Sequence, residues 1–89
     1  MREIRILWVD DEIGVLRPHI LFLNERGFET DTCHSGNDAI NMVREKAYDI
    51  IFLDEYMPGL SGIETLRRIK AVRPTIPVVM ITKSEEEDI

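Results

Sequence analysis

Apolar and polar positions follow two alternating patterns along the chain. Three short runs are almost continuously apolar, at residues 4–9, 50–53 and 76–81, and predict strands that are covered on both faces. A further short strand is predicted at residues 28–33. Between the strands, apolar residues recur three and four positions apart, which predicts helices with one inward face. The inward positions are Ile13, Leu16, Ile20 and Leu23, then Ala39, Ile40, Val43 and Ala47, then Ile63, Leu66 and Ile69.

Several residues mark where these helices begin and end. Ser61 and Glu64 have the spacing of a capping box, and Pro74 is expected to end the helix that they begin. Ser35 is expected to cap the second helix. Pro18 lies inside the first helix and removes one backbone donor. We therefore expect a kink or a loose first turn in that helix.

The order of elements predicts the fold class. Ser84 and Glu87 form a second capping box, which predicts the start of a fourth helix after the last strand. Strands and helices then alternate strictly, an order typical of a parallel sheet with right-handed crossovers and helices on its faces. The sequence predicts an α/β fold of this doubly wound type, built as one domain over residues 1–89.

Polar side chains follow three of the four predicted strands. Asp10 and Asp11 come after the first strand, Asp54 after the third and Thr82 after the fourth. The carboxyl ends of parallel strands meet at one edge, where open α/β sheets bind ligands. Carboxylates brought together there repel one another by roughly 1–4 kcal/mol per pair, depending on the effective dielectric constant. A hard divalent cation relieves this repulsion, and oxygen ligands suit Mg²⁺ or Mn²⁺.

Each of these residues also has a purely structural interpretation. Asp11 or Glu12 alone would be read as a helix N-cap. Asp54 alone could cap a turn, since Pro58 and two glycines follow it, and Thr82 alone could simply end a strand. Their joint placement at one sheet edge favours a common site over these separate roles.

Composition narrows the classes of partner. The net charge of −6 disfavours direct binding of nucleic acid, which needs a basic surface. The single cysteine, Cys33, excludes an internal disulfide and is typical of a reducing cytoplasm. No apolar stretch approaches the ~20 residues of a membrane span, so no membrane role is expected.

Three motifs together resemble the receiver domain of two-component response regulators. They are VDDE at residues 9–12, LDxxMPGxxG at 53–62 and IPVVMIT at 76–82. The resemblance implies a flavodoxin-like sheet with strand order 2-1-3-4. It also implies a cytoplasmic signalling domain, not an enzyme, although it would assist its own phosphorylation and dephosphorylation.

The same resemblance implies roles for individual residues. Asp54 would accept a phosphoryl group from a sensor histidine kinase. Asp11, Asp54 and the backbone carbonyl of Tyr56 would hold Mg²⁺, or Mn²⁺ in its place, with Asp10 acting through a bound water. Thr82 would contact a phosphoryl oxygen and act as the switch residue, biasing an output or a downstream effector domain.

The sequence departs from the family pattern at its C-terminal end. The fifth strand, with its phosphate-binding lysine, and the last helix do not follow residue 82, and Lys83 stands where the family usually has a small residue. The domain is therefore expected to be C-terminally incomplete, with an exposed edge strand at residues 76–81 that promotes self-association. An alternative function is a truncated or degenerate receiver that acts as a phosphorylation-independent interaction module. A haloacid-dehalogenase-type phosphatase is disfavoured, because Tyr56 stands where that class needs a second aspartate.

Overall fold

The predicted parallel sheet is confirmed by a computed structural model, which describes residues 3–82. Its four strands are β1 (Arg5–Val9), β2 (Glu29–Cys33), β3 (Ile50–Asp54) and β4 (Val78–Ile81). They pair in parallel in the order β2-β1-β3-β4, which is the expected order 2-1-3-4. The helices are α1 (Arg17–Glu25), α2 (Gly36–Glu45) and α3 (Gly62–Val72), and a 3₁₀ helix (Ile13–Leu16) precedes α1. The expected fourth-helix start at Ser84 and Glu87, and the position of Lys83, lie outside the described residues.

The two faces of the sheet are covered unequally. Alternate strand residues such as Leu7 and Ile51 join α2 and α3 in the main apolar core. Trp8 and Phe52 lie on the opposite face, where their rings pack edge to face with centroids 5.0 Å apart. On that face Val79, which is aligned with Phe52, is 43% exposed. The strand β4 therefore has an apolar side chain open to solvent at the edge of the sheet.

The first helix differs from a simple amphipathic helix. The expected loose first turn is present as the 3₁₀ helix, and Pro18 lies in the first turn of α1, where a missing backbone donor costs least. Of the four predicted inward residues only Ile13 is fully buried, while Leu16, Ile20 and Leu23 are half-buried. The helix covers mainly the β2 side of its face, so its inward positions keep some contact with solvent.

The caps of α2 and α3 are confirmed, and two inward positions are wrong. The hydroxyl oxygens of Ser35 and Ser61 accept hydrogen bonds from backbone N–H groups three residues ahead, both at 3.2 Å. Ala47 is exposed because α2 ends at Glu45, before the helical spacing reaches it. Ile63 is exposed as well, since it occupies the first turn of α3, on the side away from the core.

The helices α2 and α3 pack against each other through a small residue. A Cβ atom added at Gly36 would overlap the side chain of Thr65, which is fully buried. The Thr65 hydroxyl donates a hydrogen bond of 2.7 Å to the carbonyl oxygen of Ser61, one turn earlier in α3. This close approach fixes the position of both helix N-termini beside the carboxyl edge of the sheet.

None of the helices within residues 3–82 combines the length and the apolar character that a membrane span requires.

Candidate functional site

The register of β1 and β3 places the predicted carboxylates side by side. Val9 is aligned with Leu53, so Asp10 and Asp54 follow at neighbouring positions of the same edge. The β1 end is held from the other side by a hydrogen bond of 3.1 Å from the Asp10 N–H to the Cys33 carbonyl oxygen. The sheet itself therefore positions these two acids.

Three carboxylates form one cluster at this edge. One oxygen from each of Asp10, Asp11 and Asp54 lies within 4.8 Å of the other two. Asp10 and Asp54 are both only 1% exposed, whereas Asp11 is exposed and leaves the cluster open on one side. At such separations, like charges repel by about 1–3 kcal/mol per pair for effective dielectric constants between those of water and a protein surface. The arrangement favours binding of a positive ion, or attack by a carboxylate oxygen on an incoming electron-poor group.

Each buried carboxylate also orders the loop that follows it. Asp10 Oδ1 accepts a hydrogen bond of 2.8 Å from the Glu12 N–H, and Asp54 Oδ1 accepts one of 3.2 Å from the Tyr56 N–H. The turn-capping interpretation of Asp54 is therefore correct, and it coexists with membership of the cluster. Glu12 occupies the N-cap position of the 3₁₀ helix, as its structural interpretation predicts, but its side chain makes no capping hydrogen bond there.

The loop after Asp54 is braced by a glycine at the start of α3. The Gly62 N–H donates a hydrogen bond of 3.2 Å to the Glu55 carbonyl oxygen. A Cβ atom at Gly62 would overlap the Asp54 carbonyl oxygen, so only glycine permits this approach. The structure thus explains Gly62 as the residue that lets α3 press directly against the backbone of the acid-bearing loop.

The two other predicted site residues lie close by in different ways. Tyr56 is tied to the site by its backbone N–H, while its side chain is 67% exposed. Thr82 follows β4 at the same edge, but its hydroxyl donates a hydrogen bond of 2.9 Å to Glu55 Oε1. Sequence reasoning did not identify Glu55. Glu55 emerges only from the register of β3 against β4, because Asp54 is aligned with Ile81 and the next pair is Glu55 and Thr82.

A second polar cluster lies on the edge strand β2 and was also missed. Asp31 Oδ2 accepts hydrogen bonds of 2.7 Å from both Lys46 Nζ and the Tyr48 hydroxyl. Burial alone would raise the pKa of Asp31, but these two hydrogen bonds and the Lys46 charge outweigh it and lower that pKa. Burial, followed by the hydrogen bond to Asp31, raises the pKa of Tyr48. In this cluster the negative charge of Asp31 is offset by its hydrogen-bond donors, and the contacts anchor the end of α2 to β2.

The cysteine is not part of either cluster's chemistry. Cys33 is buried in the main core, and burial raises its pKa to about 11. A thiol with such a pKa stays protonated at neutral pH and is a poor nucleophile. Cys33 therefore serves the packing of the core.

Comparison with known sequences identifies relatives over nearly the whole chain. The family model described as "Response regulator receiver domain" matches residues 6–89. Transcriptional regulatory protein ResD of Bacillus subtilis is 39% identical over 85 residues, covering 96% of this chain and 35% of that protein. Transcriptional regulatory protein ZraR of Salmonella typhimurium is 38% identical over 80 residues, covering 90% of this chain and 18% of that protein. The chain spans about a third or less of the length of these relatives.

Solved structures share the fold. A response regulator receiver domain protein (CheY-like) from Methanospirillum hungatei superposes with a TM-score of 0.86 at 23% identity, covering 94% of this chain and 67% of that one. The response regulator TrrA of Thermotoga maritima, in complex with Mg²⁺-BeF, superposes with a TM-score of 0.81 at 34% identity, covering 92% and 70%. With the family match and the sheet order 2-1-3-4, these findings show that the chain belongs to the response regulator receiver domain family.

Proposed function

We propose that this chain accepts a phosphoryl group on Asp54 and passes a signal on through the state of that residue. The observation that carries the proposal is the acid cluster, in which an oxygen of Asp54 lies within 4.8 Å of oxygens of Asp10 and Asp11. A cluster of like charges costs stability, and the described chain places it where an open α/β sheet binds ligands. A structural role alone gives no reason to group three acids there.

The chemistry follows from the side chain of Asp54. One carboxylate oxygen attacks phosphorus and forms an acyl phosphate, while the bond from phosphorus to the donor nitrogen of a phosphohistidine breaks. The departing imidazole nitrogen keeps that electron pair. Asp54 is held in place for this attack by its hydrogen bond from the Tyr56 N–H and by the contact of its backbone with Gly62.

A divalent cation fits the donor atoms of the cluster. Carboxylate oxygens are the hard ligands that Mg²⁺ and Mn²⁺ prefer. Asp11, Asp54 and the backbone carbonyl of Tyr56 would hold the ion directly, and Asp10 would hold it through a water. When bound, the ion supplies positive charge that offsets the carboxylates and the transferred phosphoryl oxygens. The complex of the relative TrrA with Mg²⁺-BeF supports this assignment.

The proposed partners are those of a two-component system. A sensor histidine kinase supplies the phosphoryl group, and the effect is transmitted to a downstream effector domain or partner. The names of ResD and ZraR, both transcriptional regulatory proteins, support an output of this kind. We place the chain in the cytoplasm, as a phosphate-accepting domain and not as an enzyme with turnover.

Incubation with acetyl phosphate and Mg²⁺ tests the proposal. We expect the intact mass of the chain to rise by one phosphoryl group, and the added mass to disappear when EDTA replaces Mg²⁺. Mapping of the labelled peptide should identify Asp54. A chain that takes up no phosphoryl group, yet still binds a partner, would be a phosphorylation-independent interaction module instead.

A further inference from the structure

The side chain of Glu55 is aligned with the side chain of Thr82. Asp54 is paired with Ile81, and the Glu55 N–H continues the ladder with a hydrogen bond of 3.1 Å to the Ile81 carbonyl oxygen. Glu55 and Thr82 are therefore the residues that directly follow the two paired strand ends. Thr82 Oγ1 donates to Glu55 Oε1 at 2.9 Å. The proton of the Thr82 hydroxyl is thus engaged by Glu55.

The backbone of Glu55 is fixed from both sides. Its N–H is bonded to the end of β4, and its carbonyl oxygen accepts the hydrogen bond from Gly62. Because Gly62 lies directly against this backbone, α3 blocks displacement of Glu55 toward the helix. The carboxylate of Glu55 is therefore presented to Thr82 from a rigid base, which lowers the entropic cost of their hydrogen bond.

We infer that Glu55 is a positioning residue for Thr82, and that it holds the hydroxyl in the unphosphorylated arrangement. This inference rests on the proposed function. A threonine hydroxyl has one proton to donate, so it can donate to the Glu55 carboxylate or to a phosphoryl oxygen on Asp54, but not to both. Glu55 therefore competes with the phosphoryl group for Thr82, and its strength as an acceptor sets how readily the site switches.

The first test examines the contact itself, without any phosphate analogue. Three-bond NMR couplings from the Thr82 backbone nitrogen and carbonyl carbon to Cγ2 report its χ1 rotamer. We expect one dominant rotamer in the wild-type chain and rotamer averaging in Glu55→Ala. Equal couplings in the two proteins, or averaging already in the wild type, would overturn the inference whatever the site does with phosphate.

The second test measures the competition. Beryllofluoride with Mg²⁺ stands in for the phosphoryl group, and its binding is followed by Trp8 fluorescence. We expect Glu55→Ala to bind it about three- to tenfold more tightly than the wild type, as loss of one partly exposed, charge-assisted hydrogen bond predicts. Glu55→Gln, which keeps a weaker neutral acceptor, should fall between them. Affinity in Glu55→Ala equal to that of the wild type would overturn the inference and leave the proposed function standing.

Control variants separate positioning from simple charge. Removing Glu55 also removes a negative charge near the site, which by itself would favour an anion. If Glu55 acts through Thr82, the gain in affinity vanishes when Glu55→Ala is combined with Thr82→Ala, whereas a gain that persists in the double variant overturns the inference. Glu45→Ala, at the exposed far end of α2, removes the same charge and should bind as the wild type does. A wild-type chain that fails to bind beryllofluoride at all would instead count against the proposed function.

Discussion

Residues 3–82 contain two clusters built around carboxylates, and the charges in them are arranged in opposite ways. On β2, Asp31 lies between an ammonium group and a phenol, both at 2.7 Å, and its pKa is lowered. At the carboxyl edge, Asp10, Asp11 and Asp54 bring oxygens of the same charge within 4.8 Å of one another. The first arrangement stabilises the fold by itself, while the second gains stability when a positive group arrives.

The difference shows how a structural carboxylate can be told from a functional one. Burial is not the criterion, since within the acid cluster Asp54 is buried while Asp11 is exposed. The two carboxylates differ in their neighbours. Asp31 is surrounded by hydrogen-bond donors that compensate its charge, whereas Asp54 lies beside carboxylates of the same charge. Matched substitutions in the two clusters test this difference.

The largest expected difference concerns phosphoryl uptake. Asp54→Asn should abolish labelling by acetyl phosphate, because an amide oxygen of nearly the same shape does not attack phosphorus. Asp31→Asn, the same change in the other cluster, should be labelled as the wild type is. Intact-mass spectrometry decides, and persistent labelling of Asp54→Asn would show that another residue is the acceptor.

The next difference concerns cation binding. Asp11→Asn should weaken Mg²⁺ binding by tenfold or more, as expected for loss of one of a few charged ligands. Asp31→Asn should leave it unchanged. Titration calorimetry measures both, and Trp8 provides a second signal because it lies on β1, which leads to the cluster. Equal Mg²⁺ affinity in Asp11→Asn and the wild type would remove the metal assignment.

Stability should change in opposite directions in the two clusters. Asp31→Asn is expected to lower the free energy of unfolding by about 1 kcal/mol at pH 7, since both partly exposed hydrogen bonds lose the negative charge of their acceptor. Asp54→Asn is expected to raise it by about 1 kcal/mol, because one set of like-charge repulsions disappears. Urea melts of the three proteins in the absence of Mg²⁺ measure both effects, and destabilisation by Asp54→Asn would contradict the repulsion described above.

The pH dependence of the Asp31 effect follows from its lowered pKa. A carboxylate whose pKa is lower in the folded state contributes stability above its unfolded value, near 3.8, and loses it as the pH falls through the folded value. The gap in unfolding free energy between the wild type and Asp31→Asn should therefore be constant near neutral pH and close below pH 3.8. A gap that widens with acidification would reverse the assignment.

The smallest expected effect concerns the open sheet edge. The strand β4 pairs on one side only among the described residues, and Val79 is 43% exposed there. We expect the 89-residue chain to self-associate at micromolar concentration in light scattering, and Val79→Lys to shift it toward monomer. Val15→Lys, at an apolar residue that is 73% exposed on the 3₁₀ helix, is the matched control and should not. A monodisperse wild-type monomer would refute this use of the edge.

The parts of the molecule that the sequence predicted are those fixed by periodicity and strand order. Asp10, Asp11 and Asp54 could be brought together before any coordinates, because parallel strands deliver their carboxyl ends to one edge. The helix caps at Ser35 and Ser61 could also be predicted, because each cap joins residues only three positions apart in the sequence. Ala47 and Ile63 were misplaced because helical spacing does not say where a helix ends or which side of its first turn meets the core.

The parts that were missed depend on contacts distant in sequence. Asp31 is neutralised by Lys46 and Tyr48, which follow 15 and 17 residues later, and nothing in the β2 segment itself signals this. The Glu55–Thr82 hydrogen bond spans 27 residues and requires the exact register of β3 against β4. The apolar pattern predicts where the strands lie and the family resemblance implies their order, but neither predicts the register to one residue.

The contact between Gly36 and Thr65 has a consequence for variation among relatives. A larger side chain at either position would overlap the other residue, and Thr65 is fully buried. Neither residue can therefore be replaced by a larger one unless the other becomes smaller. A relative with alanine or serine where this chain has Gly36 should therefore carry a smaller side chain where this chain has Thr65, or a wider gap between the two helices. The pair should be inherited as a unit, and it offers a coevolution signal that belongs to helix packing and not to phosphate chemistry.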